Sequence, residues 1–420
     1  MLEPQSTLLF ILLIAVFGGL MWWIVTTRRL AFRIGAAVLA FLVAMQVGIM
    51  AVNKYFDYYQ TWGAAITDLT GPAATGPSLP KSVLGSATGK KESTGDQGSS
   101  DIYLSLAEKQ GYLEPLQFKG ATSHISRQGL IYLPPQYFQP AYRNYRFPVI
   151  ELIHGQPGFP EDWIDVVGVT QTLDTLVSKH LAEPAVLVMP DANGGQRVSE
   201  QCLNQVGGPQ DMTYLGVDVP ADVLAAGLRV QAPGRAWGIA GYSEGGFCAA
   251  NMALHFRSTY GFAGVMSGYF KPMHNQLPSG KIIDPFDGNA NLRAANTPTL
   301  ELRSLRPGAV IPKFWVGAGQ EDGTDVTNAY YFVQLLSLHQ ANVPVDISPG
   351  GHTMGAWRAE VSPMLEWMTI RLAQFAVPAG QGTPVAQKSP SPCGTSSVVV
   401  KRKPGPGPTP SCSPRPPRKH

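Results

Sequence analysis

Two stretches near the start of the chain carry no charge: Thr7 to Val25 (TLLFILLIAVFGGLMWWIV) and Ile34 to Val52 (IGAAVLAFLVAMQVGIMAV), nineteen residues each. About 20 apolar residues in helix cross a bilayer, so the pattern predicts a transmembrane hairpin over residues 1–53. A signal peptide fits poorly, because no basic residue precedes the first run and a second run follows it. From about Tyr112 to Phe375 the pattern changes to short apolar runs alternating with longer amphipathic ones. Leu130–Leu133, FPVIELIHG, AVLVMPDA, RAWGIAGYS, FAGVMSGYF, PKFWVGAG and VPVDISPGG are each short, apolar and closed by turn residues, and read as strands. Between them Asp162–Leu181, Val217–Arg229, Gly245–Phe256, Val326–Gln340 and Trp357–Phe375 read as helices. Strand, helix and strand in succession predict an α/β fold with a mostly parallel sheet covered on both faces.

Composition changes between these parts. Thr70 to Ser100 is rich in Gly, Ser, Thr and Pro and reads as a flexible stretch, within a linker expected over 54–105. It would join the hairpin to a catalytic domain over 106–378. The end, 379–420, is Pro-rich and basic and is expected to be disordered. From Val377 onward there are seven Lys or Arg and no Asp or Glu, so the net +3 of the whole chain leaves −4 on the rest. The tail could meet anionic envelope polymers or remain solvated without a partner, and nothing else in the chain points to nucleic acid.

Charge also orients the hairpin. Arg28, Arg29 and Arg33 lie between the two runs, whereas Glu3 precedes the first and Lys54 and Asp57 cancel after the second. The positive-inside rule places the Arg-rich loop in the cytoplasm and both chain ends outside. The rival is TRRLAF as a twin-arginine export signal, with Ile34–Val52 as its apolar region. Either way the rest of the chain is expected outside the membrane, where disulfides are permitted. Of the four cysteines, Cys202 and Cys248 fall in the folded region and are expected to pair, with two buried free thiols as the alternative. Whether Cys393 and Cys412 in the tail pair is left open.

The stretch GIAGYSEGGF places Ser243 between two glycines in the pattern G-x-S-x-G. In a chain of 420 residues with 45 glycines that pattern alone decides little. Its flanks decide more, for Ser243 follows the apolar AWGIA and precedes EGGFCAANMALHF, a stretch suited to a buried helix. That is the setting of a nucleophile elbow, a strand-to-helix turn so tight that Gly241 and Gly245 tolerate little more than hydrogen. A serine hydroxyl needs a base within hydrogen-bond reach. Of the eight histidines, His352 lies just beyond the last strand and before the last helix, while His154 closes a strand and is expected to shape the following loop. The base in turn needs an acid to fix its tautomer. FWVGAGQEDGTD offers Asp322, with Glu321 as the alternative, while Asp325 reads as an N-cap for the helix from Val326. The oxyanion donors expected are the backbone amides of Glu244 and Gln156, the latter in the HGQPG loop. The Glu244 side chain is expected to run along its helix toward solvent.

Together these segments resemble the esterase family of α/β-hydrolases, which includes S-formylglutathione hydrolases, feruloyl esterases, enterochelin esterases and mycolyltransferases. The likeness covers about Gly129 to Phe375 and rests on GLIYLPPQY, ELIHGQPGFPEDW, VMPDANGG, GYSEGGFCAANMAL, GAGQED and GGHTMGAWRAEV in that order. It implies an α/β-hydrolase fold, with Ser243 as nucleophile, Asp322 as acid, His352 as base and the amides of Gln156 and Glu244 around the oxyanion. Glu244 departs from the neutral residue usual after the elbow serine. The implied activity is hydrolysis of an acyl ester through an acyl-enzyme, with no metal and no organic cofactor. Transfer of the acyl group to an envelope sugar or lipid is the first alternative. A non-catalytic envelope-binding module on a hydrolase scaffold is the second.

Overall fold

The computed structural model describes residues 2–63, 65–66, 97–195, 199–276, 279 and 281–376. The basic tail with Cys393 and Cys412, and most of the Gly/Ser-rich linker, lie outside the described residues. Two long helices open the chain, α1 (Thr7–Thr26) and α2 (Leu30–Phe56), both long and apolar enough to cross a membrane. Their side chains stay largely uncovered by protein. Where the linker was expected to run to residue 105, a helix α3 (Gln97–Gln110) forms instead.

The remainder is built on an eight-stranded sheet, beside a short two-stranded one that pairs Asn275–Gln276 with Ile282–Ile283. The strands of the larger sheet are β1 (Tyr112–Lys119), β2 (Ser126–Leu133), β3 (Val149–Ile153), β4 (Val186–Pro190), β5 (Gly234–Tyr242), β6 (Tyr260–Met266), β7 (Lys313–Gly319) and β8 (Val345–Ser348). They lie in the order β1-β2-β4-β3-β5-β6-β7-β8, with β1 and β2 antiparallel and the other six parallel. This is the α/β-hydrolase architecture. Strand β1 escapes the sequence pattern because Glu114 and Pro115 interrupt its apolar run, and an edge strand tolerates both.

Covering helices are α4 (Asp162–Asp165), α5 (Val169–Ser178), α6 (Val219–Ala225), α7 (Glu244–His255), α8 (Thr324–Leu336) and α9 (Met354–Ala376). The single helix expected over Asp162–Leu181 is thus two, because Gly168 adopts φ +73° and breaks the run. Period-2 alternation splits the core into two layers. In β3 Val149 and Ile153 join one cluster with α7, while Ile150 and Leu152 join the other with α5 and α9.

Glu151 shares the Val149 face and is wholly buried, its Oε2 accepting from the Tyr260 hydroxyl at 2.7 Å. Burial pushes its carboxyl up to about 8, against which the Tyr260 hydrogen bond works only in part. The unfolded chain releases this proton near 4.5. The stabilisation is therefore complete below that pH and is lost as pH rises through about 8, falling by about 1.4 kcal/mol for each pH step between the two values. Glu151→Gln should flatten this slope. Thermal unfolding of the full chain in detergent at pH 5 and pH 9 reads it, and an equal pH slope in variant and wild type would refute the assignment.

Candidate active site

At the carboxyl end of β5 the chain turns sharply into α7. Ser243 sits in that turn at φ +57° and ψ −121°, a conformation costly for a residue with a side chain. A Cβ on Gly241 would collide with the Gly245 carbonyl, and one on Gly245 with the Ile153 carbonyl. Both glycines are therefore sterically required, and the strain aims Oγ out of the turn.

His352 lies in the loop between β8 and α9, and its Nε2 is 2.8 Å from Ser243 Oγ. On the other side of the ring, Nδ1 is 3.0 Å from Asp322 Oδ2 and 3.1 Å from Oδ1. Asp322 is nearly enclosed, with its side chain 5% exposed, whereas His352 is 41% exposed. The structure thus brings Ser243, His352 and Asp322 into one hydrogen-bonded chain. Glu321 is exposed and takes no part in it; its amide bonds the Gly350 carbonyl at 2.7 Å.

Asp325 departs from its sequence reading. The helix α8 starts at Thr324 with Gly323 as cap, so Asp325 is already inside the first turn rather than capping it. Its carboxylate accepts from Asn328 Nδ2 at 3.2 Å and reaches His352 Nδ1 at 3.4 Å. The imidazole therefore faces two carboxylates. Burial disfavours its charge, but the hydrogen bonds and field of Asp322 and Asp325 outweigh burial and lift its pKa to about 9. A base works only when neutral, so kcat/KM should rise with pH through this high value. Asp325→Asn removes one anion and should move that acid limb down toward 6.5, the ordinary histidine value. An unmoved limb in the pH profile would show that Asp325 does not act on His352.

Glu244 is also corrected. Its carboxylate does not run out to solvent but is buried, contacting the Ser199 hydroxyl and accepting from the Gln201 amide at 3.3 Å. Burial raises its pKa to about 7, with the Ser199 hydrogen bond opposing. The cause is the segment folded over it. Cys248, four residues along the same helix face, is joined by a disulfide to Cys202, which holds the 199–202 segment against that face. The Glu244 backbone amide remains at the first position of α7, where amides have no acceptor within the helix.

The loop after β3 runs directly against the elbow, for a Cβ on Gly155 would lie 3.3 Å from Ser243 Cβ. Gln156 follows, its side chain contacting Asn193. His154 is buried; its Nδ1 donates to the Gly155 carbonyl at 2.8 Å and its Nε2 accepts from the Ala192 amide at 3.0 Å. It braces the loop and does not face Ser243. Trp357 holds the other side, stacked on Tyr242 at 4.6 Å and edge-on to His352 at 5.0 Å between ring centres.

Beside Ser243 opens a cavity of about 440 Å³, within the usual range for ligand sites. Ser243, His352, Gln156 and Trp357 line it on one side, and Ile49, Val52 and Phe56 of α2 on the other. No sequence signal pointed to α2 as part of this wall. Chemically, the set can pass the Ser243 proton to His352 while Asp322 holds the ring, which is what attack by a serine oxygen requires.

Residues 123–368 match the family described as putative esterase. A protein of Corynebacterium glutamicum described as uncharacterised is 26% identical over 250 residues, which span 59% of this chain and 58% of that protein. Among solved structures, a ferulic acid esterase superposes with a TM-score of 0.51 at 18% identity, over 63% of this chain and 99% of its own. A fluorophosphonate-binding serine hydrolase of Staphylococcus aureus gives 0.51 at 17%, over 62% and 98%. An S-formylglutathione hydrolase of Agrobacterium tumefaciens gives 0.51 at 15%, over 63% and 96%. At these identities the superpositions establish the fold alone.

Proposed function

The chain belongs to the putative esterase family, and on that premise we propose that it is a membrane-anchored serine esterase that works through an acyl-enzyme, with its catalytic domain on the outer side of the membrane. The observation that carries the chemistry is the unbroken link from Ser243 Oγ to His352 and on to Asp322, at 2.8 and 3.0 Å. His352 Nε2 takes the Ser243 proton as Oγ bonds to the ester carbonyl carbon. The amides of Gln156 and Glu244 stabilise the oxyanion. As the carbonyl re-forms, the C–O bond to the alcohol breaks and His352 protonates the leaving oxygen. Water, deprotonated by His352, then attacks the acyl carbon, the bond to Ser243 Oγ breaks, His352 returns its proton to Oγ, and the carboxylic acid leaves. Asp322 stabilises the imidazolium in both halves.

A second outcome shares the first half-reaction. An alcohol that replaces water in the second half would take the acyl group, so that it passes to an envelope sugar or lipid. Measuring free acid against new ester, with and without added alcohol, separates the two. Domain limits follow the chain: hairpin 1–53, linker, catalytic domain to 378, basic tail. The outward orientation is supported by Arg28, Arg29 and Arg33 between the two apolar helices and by the Cys202–Cys248 disulfide. Protease added to intact cells should therefore release the catalytic domain. Protection until lysis would place it in the cytoplasm and remove the envelope substrate.

A further inference from the structure

The cavity beside Ser243 has one wall that the catalytic domain does not supply. Ile49, Val52 and Phe56 stand at i, i+3 and i+7 of α2, on one helix face, and all three line the cavity. They are 56%, 59% and 47% exposed, so among the described residues no side chain fills the space they border. Seven residues of helix rise about 10 Å, and the apolar wall therefore extends that far along α2.

The placement is fixed by polar contacts rather than left to a tether. Arg358 on α9 donates to the Asp57 carboxylate at 2.6 Å and its carbonyl at 2.7 Å. Tyr58 donates to Asp162 at 2.6 Å. Asn53 closes the end of α2 through Tyr59, at 2.8 Å to its amide and 3.0 Å to its carbonyl. Even Gly355 fits this docking, since a Cβ there would strike the Asp57 carboxylate. The first turn of α9 and the end of α2 are thus built to touch.

Depth follows from length. About 20 helical residues span the hydrocarbon core, and counted outward from Ile34 they end near Asn53. Ile49 and Val52 then lie within the outer edge of the hydrocarbon, and Ser243 lines the same cavity as they do. A soluble ester would have to bring an acyl chain through water to reach this wall, whereas a lipid already in the outer leaflet would slide along it.

We infer that the substrate is a membrane-resident ester whose acyl chain reaches Ser243 along the Ile49, Val52 and Phe56 face of α2. This rests on the serine-esterase reading and on α2 crossing the bilayer. The carbonyl is delivered at the mouth between His352 and Gln156 while the chain remains on the apolar wall.

The test uses the full chain in phospholipid vesicles and a hexadecyl p-nitrophenyl phosphonate carrying a diazirine at the chain end. Ser243 Oγ bonds to phosphorus, p-nitrophenolate leaves, and His352 takes the serine proton. Illumination then cross-links the chain end to whatever it touches. Peptide mapping should find the cross-link within α2. Cross-links confined to loops of the catalytic domain would overturn the inference while leaving the esterase reading intact. Absence of any adduct on Ser243 would remove the esterase reading itself, and this inference with it. A second measurement uses Ile49→Trp, which fills the wall. The ratio of kcat/KM for a hexadecanoyl ester over an acetyl ester should fall about tenfold or more, and an unchanged ratio would contradict the route.

Discussion

Ser243→Ala lowers kcat/KM for an activated ester by at least about a thousandfold, the scale of loss usual for a triad serine, while the fold is retained. The reason the two effects separate is geometric. Ser243 already carries a Cβ at φ +57°, so alanine meets the same backbone strain as serine and adds none. Only Oγ is lost, and with it the 2.8 Å contact to His352 and the atom that would form the ester bond. Residual turnover above about a thousandth of wild type, in a variant with unchanged thermal unfolding, would argue against covalent catalysis.

Asp322→Asn is the second large effect. Asparagine can present an N–H to Nδ1, which would turn the imidazole to the tautomer that cannot accept from Ser243; losses of about 10⁴ follow from that change in a serine triad. Here Asp325 lies 3.4 Å from the same nitrogen and still attracts a proton to it. The expected loss for Asp322→Asn is therefore smaller, about 10²- to 10³-fold, and the double change with Asp325→Asn should restore the full deficit. Glu321→Gln, on an exposed side chain, should change kcat/KM less than about threefold, as surface changes away from a site usually do. The opposite ranking of Asp322→Asn and Glu321→Gln would move the acid to Glu321.

What could be read from the chain follows the range of the interactions involved. The elbow is local: an apolar strand, a serine between two glycines and a buried helix lie within about twenty consecutive residues, and sterics alone prescribe the turn. His352 and Asp322 were legible from their places just past strand ends, where ligand sites of parallel sheets form. Asp325 was not. Its role turns on whether α8 starts at Thr324 or two residues later, and helix ends are poorly marked when a glycine replaces a polar cap. Glu244 was misread because its burial depends on the 199–202 segment, bound to α7 by a disulfide across 46 residues. Strand β1 was hidden by Glu114 and Pro115, which an exposed edge accepts. The α2 wall lay furthest from reach. Phe56 and Ser243 are remote in the chain, and a long apolar run shows only that it is apolar, not which of its helical faces is left open beside Ser243.

The central claim is that an ester carbonyl becomes bonded to Ser243 during turnover. Activated esters acylate a serine faster than the acyl-enzyme is resolved, so the intermediate accumulates in a burst. The full chain, mixed with a p-nitrophenyl hexanoate and quenched in acid within the burst, should gain the mass of one hexanoyl group. Peptide mapping should place it on Ser243, and Ser243→Ala should remain unmodified. A wild-type chain that stays unmodified while p-nitrophenol continues to be released, or that carries the acyl group on another residue, would contradict the account.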